Sequence, residues 1–390
     1  MFIFCKGDAA VRRLWFRNFL WCLVLSIFWS GLAGAQTETL SLWPEVPAGI
    51  EYLHRRSGDE PWSIHVVKID RTQRQFQFIS SLAEGSIYGL STLKNQVKSL
   101  AAGLGKPAAA VNGDFFVIRP GPYQGDPLGL QIIQGELVSA PGDISFWIDP
   151  KGEPHIGELV CRFRVRGPEG MEISLGLNQE RLEDTAVLYT PALGPSTRTS
   201  GGGELVLERA DEGPWLPLRA GMQYKARVQE VRDEGDTALR PDIMVLSIGP
   251  GLFKKLPTLQ EGTILSLSLE TDPDLKGVQT ALGCRPVLVR KGKVQKWDPN
   301  QPRHPRTALG WNDKYYFLVV VDGRQPGLSM GMTFPELAEL MLSYGCQEAV
   351  NLDGGGSSTL WLGGKVMNSP SDGRERSIAN GLIVMQKRKK

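Results

Sequence analysis

The sequence predicts an α+β fold: mixed β-sheets with flanking helices and a strand-rich middle segment. Three observations carry this expectation. Short runs of alternating apolar and polar residues recur between Gly- and Pro-rich turns, the pattern of antiparallel sheet with one face buried. Tyr315–Val321 is a continuous apolar run, as in a central strand covered on both faces. Thr333–Tyr344 has helical spacing, with Leu337, Leu340, Met341 and Tyr344 on one stripe. Thr333 and Glu336 form a capping box at its start, and Gly345 stops it.

The elements follow in chain order. Residues 1–35 read as an export signal. Lys6, Arg12, Arg13 and Arg17 give a basic start, and Phe19–Leu32 is apolar. Ala33-Gly34-Ala35 is a small-residue processing site, with Gln36 after it. The apolar run of about 14 residues is short of the roughly 20 that a membrane span needs. After signal removal no stable membrane span is expected; an uncleaved signal would leave an N-terminal anchor. Residues 36–60 read as a linker and 61–390 as the folded domain, with 160–275 as its strand-rich middle. His65–Ile69 and Gln75–Ile79 alternate as strands. Thr92–Gly103 reads as a helix with Leu93, Val97 and Leu100 on one face. Ala108–Val111 is a short buried strand. In the middle part, Cys161–Arg166, the Tyr224–Val228 region and the Leu265–Leu269 region alternate, and Thr197–Gly203 is a polar, Gly-rich loop. Glu348–Leu352 reads as a strand ending at Asp353.

The composition fits a folded protein: 390 residues, 41% hydrophobic and 22% charged. The net charge of +2 lacks the basic excess of a nucleic-acid binder. Cys161, Cys284 and Cys346 remain after the signal, an odd number without zinc spacing, and read as buried small residues.

Three strands end on polar residues followed by glycine: Asn112-Gly113-Asp114, Asp322-Gly323-Arg324, and Asn351-Leu352-Asp353 ahead of Gly354-Gly355-Gly356-Ser357-Ser358. Strand ends can share one crevice. Successive glycines let backbone N–H groups form an anion nest, and the two serine hydroxyls add donors. Arg306, Arg324 and Arg376 supply guanidinium forks that match phosphate oxygens.

These motifs, in this order, resemble the phosphodiester glycosidase family. The residues that carry the resemblance are Val111–Phe116, Arg306–Gly310, Val320–Arg324, Asn351–Ser358 and Arg376–Ile383, and it spans roughly 100–385. It implies an exported hydrolase that cleaves a sugar-1-phosphodiester bond. Bacterial members are often labelled as exopolysaccharide-related, which implies a role in envelope or exopolysaccharide metabolism. The sequence departs from the family at Asp114, where many relatives carry a small residue, and at Gly283–Pro286, where a more Gly-rich turn is expected.

On this reading an oxocarbenium-like transition state needs a carboxylate as nucleophile or as base for water. Asp353 and Asp322 are the candidates, with Asn351 as the third catalytic residue. Asn112, Asp114, Arg306, Arg324, Arg376 and the segment Gly354–Ser358 are the candidate substrate and phosphate contacts. The expected partner is a carbohydrate or sugar phosphate, with no nucleic acid. No cofactor is required, although a divalent cation held by Asp322, Asp353 and Asn351 would suit a rival reading as a metal-dependent phosphodiesterase. The other rival is a non-catalytic sugar-phosphate-binding envelope protein. The expected location is extracytoplasmic.

Overall fold

In the computed structural model, residues 44–388 are described, apart from 58–60, 141, 143 and 299. The export signal expected at 1–35 therefore lies outside the described residues. The described chain holds 25 strands and three α-helices. It is a mostly β molecule with several sheets and a nearly closed barrel. The expected α+β fold is thus corrected. The reason lies in what covers the apolar strands. In Tyr315–Val321, residues Tyr316, Leu318 and Val320 pack into a core shared with a second sheet, whereas Phe317, Val319 and Val321 pack with helix Phe334–Ser343. A run buried on both faces reads the same whether its cover is a helix or another sheet.

Two sheets build the frame of the site. One has seven strands, all joined antiparallel, in the order 50–57, 62–70, 315–321, 306–311, 348–351, 287–290, 293–294. The other has five, in the order 365–366, 360–362, 106–112, 380–386, 76–82. Leu309, Leu318, Val320 and Val350 of the first meet Ala109, Val111, Leu360 and Leu382 of the second. A helix covers each outer face: Phe334–Ser343 outside the seven-stranded sheet, and Leu93–Ser99, with Leu93 and Val97, outside the five-stranded one. Ile50–Ser57 lies inside the stretch expected as a linker. It instead pairs along its whole length with Trp62–Asp70 as the outermost strand.

The middle of the chain forms an eight-stranded sheet around its own apolar core. Its strands Val160–Arg166, Gln223–Arg232 and Ile264–Asp272 fall where the alternation places them. A further five-stranded sheet, 136–139, 131–133, 280–283, 144–148 and 154–158, shares residues with both cores. The three cysteines are free; Cys284 and Cys346 are buried and Cys161 is half-buried.

The capping box at Thr333 forms, with Thr333 Oγ1 accepting from the Glu336 amide and Glu336 accepting from the Thr333 amide. Two substitutions separate what holds this helix. Thr333→Ala is expected to cost about 1 kcal/mol. Leu337→Ala, which empties a fully buried site, is expected to cost about 2–5 kcal/mol. Urea unfolding of both variants checks the ranking.

Candidate active site

The antiparallel register brings the strand ends together. Arg306 pairs with Val321, which places it beside Asp322, and Ala308 pairs with Asn351. Asn112, at the end of a strand in the other sheet, closes the gap. Its Oδ1 accepts from Thr307 Oγ1 at 2.7 Å and from the Thr359 amide at 3.1 Å, and its Nδ2 donates to the Asp353 carbonyl at 2.7 Å. Fully buried and spent on these bonds, Asn112 joins the two sheets and is closed to a sugar hydroxyl. Asn351 is also fully buried and donates to the carbonyls of Arg285 and Leu352. Its Oδ1 has no hydrogen-bond partner.

The two candidate carboxylates differ sharply. Asp322 is 1% exposed. Its Oδ1 accepts from the Ser369 amide (2.8 Å) and Asn368 Nδ2 (3.2 Å). Its Oδ2 accepts from Ser63 Oγ (2.8 Å) and His65 Nε2 (3.0 Å). Behind it, Tyr52 Oη bonds His65 Nδ1 at 2.7 Å, and the His54 ring stacks on His65 at 4.3 Å. Burial and the Asp322 charge push the Tyr52 hydroxyl up to about 12. Four bonds fill the acceptor positions of a carboxylate, so in this geometry Asp322 holds its neighbours in place. Through Asn368, which also bonds the Ser358 carbonyl and the Leu360 amide, Asp322 fixes the far side of the glycine turn.

Asp353 is only partly enclosed. Its Oδ1 accepts from the Gly354 amide at 2.8 Å, and its own amide donates to the Gly113 carbonyl at 2.9 Å. Burial raises its pKa, while the Ser357 hydroxyl, the Gly354 amide and the Arg376 charge pull it back. Ser357 Oγ lies close enough to exert this effect, yet it has no hydrogen bond of standard geometry, and neither has Ser358 Oγ. Asp114 stands nearby. Its Oδ1 accepts from the Phe115 amide at 2.7 Å, and its Oδ2 lies unpartnered against Gly129 and Gly283. Burial first, and the Asp353 charge in addition, raise it to about 7, against the Phe115 and Gly129 amides and Arg285. The Gly283–Pro286 turn that departs from the resemblance is thus the wall of the Asp114 site. A side chain at Gly283 would start 2.2 Å from Asp114 Oδ2.

The glycine triplet does not form the expected anion nest. The Gly354 amide goes to Asp353, that of Gly355 to the Pro305 carbonyl, and those of Ser357 and Ser358 to the carbonyls of Gly354 and Gly355. The glycines serve close approach instead. A Cβ at Gly354 would stand 2.8 Å from the Pro305 carbonyl and 3.9 Å from Arg306 Cδ. At Gly355 it would stand 3.0 Å from Arg324 Nη2, and at Gly356 2.1 Å from Arg376 Nη2. Each glycine faces one of three arginines. Arg306 is buried: its Nε donates to the Met332 carbonyl at 2.8 Å, its Nη2 to the Pro302 carbonyl at 3.3 Å, and its guanidinium lies 3.9 Å from the Phe334 ring centre. Burial and the Arg324 charge bring it down to about 10. It therefore builds the turn rather than standing open to an anion. Arg324 is exposed, with φ +59°, and donates to His304 Nδ1 at 3.3 Å. Arg376 is half-buried and pairs with Asp372 at 2.8 Å. Beside Arg376 opens a cavity of about 740 Å³ lined by Leu90, Phe116, Ile118, Gln124 and the segment 372–377.

Residues 250–385 match the phosphodiester glycosidase family model. The match holds Arg306, Asp322, Arg324, Asn351, the glycine turn and Arg376, but not Asn112 or Asp114. An uncharacterized SPbeta prophage-derived protein of Bacillus subtilis, YomE, is 36% identical over 124 residues, 30% of this chain. The aligned region spans about a fifth (19%) of that protein's length. Among solved structures, a hypothetical protein from Synechocystis has a TM-score of 0.67 at 20% identity, covering 86% of this chain and 62% of that one. A protein from Burkholderia pseudomallei has a TM-score of 0.64 at 22% identity, covering 83% and 74%. The catalytic domain of zebrafish N-acetylglucosamine-1-phosphodiester α-N-acetylglucosaminidase scores 0.46 at 15% identity, covering 87% and 82%. The first two show the fold. No helix among the described residues is long and apolar enough to cross a membrane.

Sequence reasoning missed His65, Ser63 and Asn368 around Asp322. His65 sits in an alternating strand, where a lone histidine gives no signal of its partner 257 positions away.

Two measurements bear on the glycine turn and its neighbouring acids. Gly355→Ala, at φ +61°, is expected to cost about 1–2 kcal/mol. Gly356→Ala meets only the flexible ends of Arg376 and Asp372 and is expected to cost under about 1 kcal/mol while opening that pair. Chemical denaturation ranks them. The second concerns pH. A carboxyl held near 7 in the fold binds its proton more tightly there than in the unfolded chain. Its contribution to stability is full below the unfolded value near 4 and is lost as pH rises through about 7. Asp126, also raised to about 7 by burial and Glu180, acts in the same direction. Asp114→Asn is expected to flatten part of the fall in Tm between pH 4 and 7; an unchanged slope would place Asp114 at an ordinary pKa.

Proposed function

We propose that this protein hydrolyses a sugar-1-phosphodiester, breaking the bond between the anomeric carbon and the phosphate oxygen, outside the cytoplasm in cell-envelope or exopolysaccharide metabolism. One observation carries the chemistry: the Asp353 carboxylate stands on a glycine turn overlain by the guanidinium groups of Arg324 and Arg376. The family match supports the substrate class, and the basic, apolar and small-residue order of residues 1–35 supports export.

Each part has a physical task. As the anomeric C–O bond lengthens, positive charge grows on the sugar ring, and Asp353 meets it as nucleophile or as base for water. The departing phosphate ester is a weak base, so it leaves without a strong proton donor. Its charge is met by Arg324 and Arg376, whose exposed or half-buried forks can hold phosphate oxygens. Asp114 carries its proton over much of the range below about 7. A protonated Asp114 places no second negative charge beside Asp353, so the pair avoids the repulsion of two adjacent anions.

Product analysis tests the reading. Free sugar together with a phosphomonoester is the expected outcome. Sugar phosphate would mean P–O cleavage and a phosphodiesterase, and binding without turnover would mean a non-catalytic module. Asp353→Asn is expected to lower kcat by about 10²–10⁴ with little change in binding. Arg376→Ala is expected to weaken a phosphodiester substrate at least about tenfold more than an aryl glycoside with a neutral leaving group. Equal losses on both substrates would remove Arg376 from the anion site. N-terminal sequencing of exported protein is expected to start at Gln36.

A further inference from the structure

The loop Val117–Asp126 joins the site to the eight-stranded sheet, and Arg198 holds it from that side. The loop is folded on itself: the Val117 amide donates to the Asp126 carbonyl and the Gly125 amide to the Val117 carbonyl, both at 2.9 Å. Two of its residues, Ile118 and Gln124, with the adjoining Phe116, line the cavity beside Arg376. At the loop's outer turn, the Pro122 carbonyl accepts a hydrogen bond from Arg198 Nη1 at 2.8 Å. The same guanidinium lies 4.8 Å from the centre of the Tyr88 ring, and Tyr123 meets Tyr88 edge-on at 5.8 Å.

Arg198 is presented by a rigid mount. It has φ +53°, in the left-handed region that a non-glycine residue enters at a cost. The residues on either side pay that cost through one buried carboxylate. Glu204, fully buried in the sheet, accepts from Thr199 Oγ1 at 2.7 Å, the Thr237 amide at 3.1 Å and Thr197 Oγ1 at 3.2 Å. Arg181 holds the next turn, donating to the carbonyls of Ser200, Gly201 and Ile248 at 2.8, 3.0 and 3.1 Å. A buried acid that clamps both neighbours of a strained, exposed arginine over-determines the direction of that arginine.

We propose that Arg198 is a specificity-determining positioning residue. It locks the loop 117–126 into the wall of the cavity beside Arg376, and so sets affinity for the part of the substrate that extends beyond the scissile phosphodiester. The eight-stranded middle sheet thereby acts on the site without supplying a group to the reaction. The substrate half of this inference rests on the function proposed above; the loop-locking half does not.

The experiment pairs hydrogen exchange with kinetics on the purified protein and its Arg198→Ala, Arg198→Lys and Thr199→Val variants. Arg198→Ala is expected to raise amide exchange in peptides covering 117–126 and to leave those covering 315–321 unchanged. With a sugar-1-phosphodiester of extended aglycone, KM is expected to rise about tenfold, with kcat within about twofold. With a methyl phosphodiester of the same sugar, KM is expected to stay unchanged, because nothing reaches the wall. Arg198→Lys keeps the charge but not the fork and is expected to restore part of the KM; Thr199→Val is expected to act like a weaker Arg198→Ala. Unchanged exchange in 117–126 overturns the lock. Equal KM changes on both substrates, or a fall in kcat with KM constant, overturns the specificity role. Raised exchange in a protein with no turnover of either substrate sustains the lock and sinks the proposed function instead.

Discussion

One buried amide holds the site together. Asn112 ends a strand of the five-stranded sheet, yet its side chain reaches Thr307 of the seven-stranded sheet and both ends of the glycine turn, at Asp353 and Thr359. Every polar atom of that amide which faces the junction is used. A buried donor or acceptor left without a partner costs about 1–3 kcal/mol. That cost favours the stacking of the two sheets that satisfies Asn112, and this stacking delivers Asp353 to the front of the site. Asp322 does the same work from the other side. Its four hydrogen bonds fasten the segment after Val321 to Ser63 and His65 of the neighbouring strand and to Asn368 and Ser369.

Electrostatics and packing are set against each other at the turn. Arg376, Ser357 and the Gly354 amide favour the charged form of Asp353, but enclosure disfavours it more, so its pKa rises. Burial raises Asp114 as well, to about 7. Two carboxylates within electrostatic reach are thus both raised by enclosure, and a proton on Asp114 removes one of two adjacent like charges. The glycine triplet has the matching steric role. Without side chains at 354–356, the Pro305–Arg306 backbone, Arg324 and Arg376 can each close on the turn. The amides of Gly354, Gly355, Ser357 and Ser358 are all engaged, so the positive charge at this turn comes chiefly from the arginine side chains.

The strands and the capped helix were legible because their signals are local. Alternation fixes which face of Val160–Arg166 or Ile264–Asp272 is buried, and Thr333 with Glu336 fixes where the helix begins. The linker expected at 36–60 hid an edge strand, Ile50–Ser57, because its partner strand and not its own composition gives it order. The choice between α+β and mostly β was not legible, since the sequence of a doubly covered strand does not record what covers it.

For the site, the sequence by itself determined which residues stand at strand ends and that acidic, amide, glycine and arginine groups follow one another there. It could do so because a strand end and a tight turn are short-range features. Only the tertiary structure decided their duties. Asp322 and Asp353 look alike in the chain, each followed by glycine, yet four partners from distant segments saturate the first and leave the second partly open. Arg306 and Arg376 look alike too, but Phe334 and two carbonyls enclose one, whereas the other faces a cavity. Hydrogen-bond saturation and enclosure are sums over neighbours that the chain brings together from far apart, and a linear sequence carries no record of that sum.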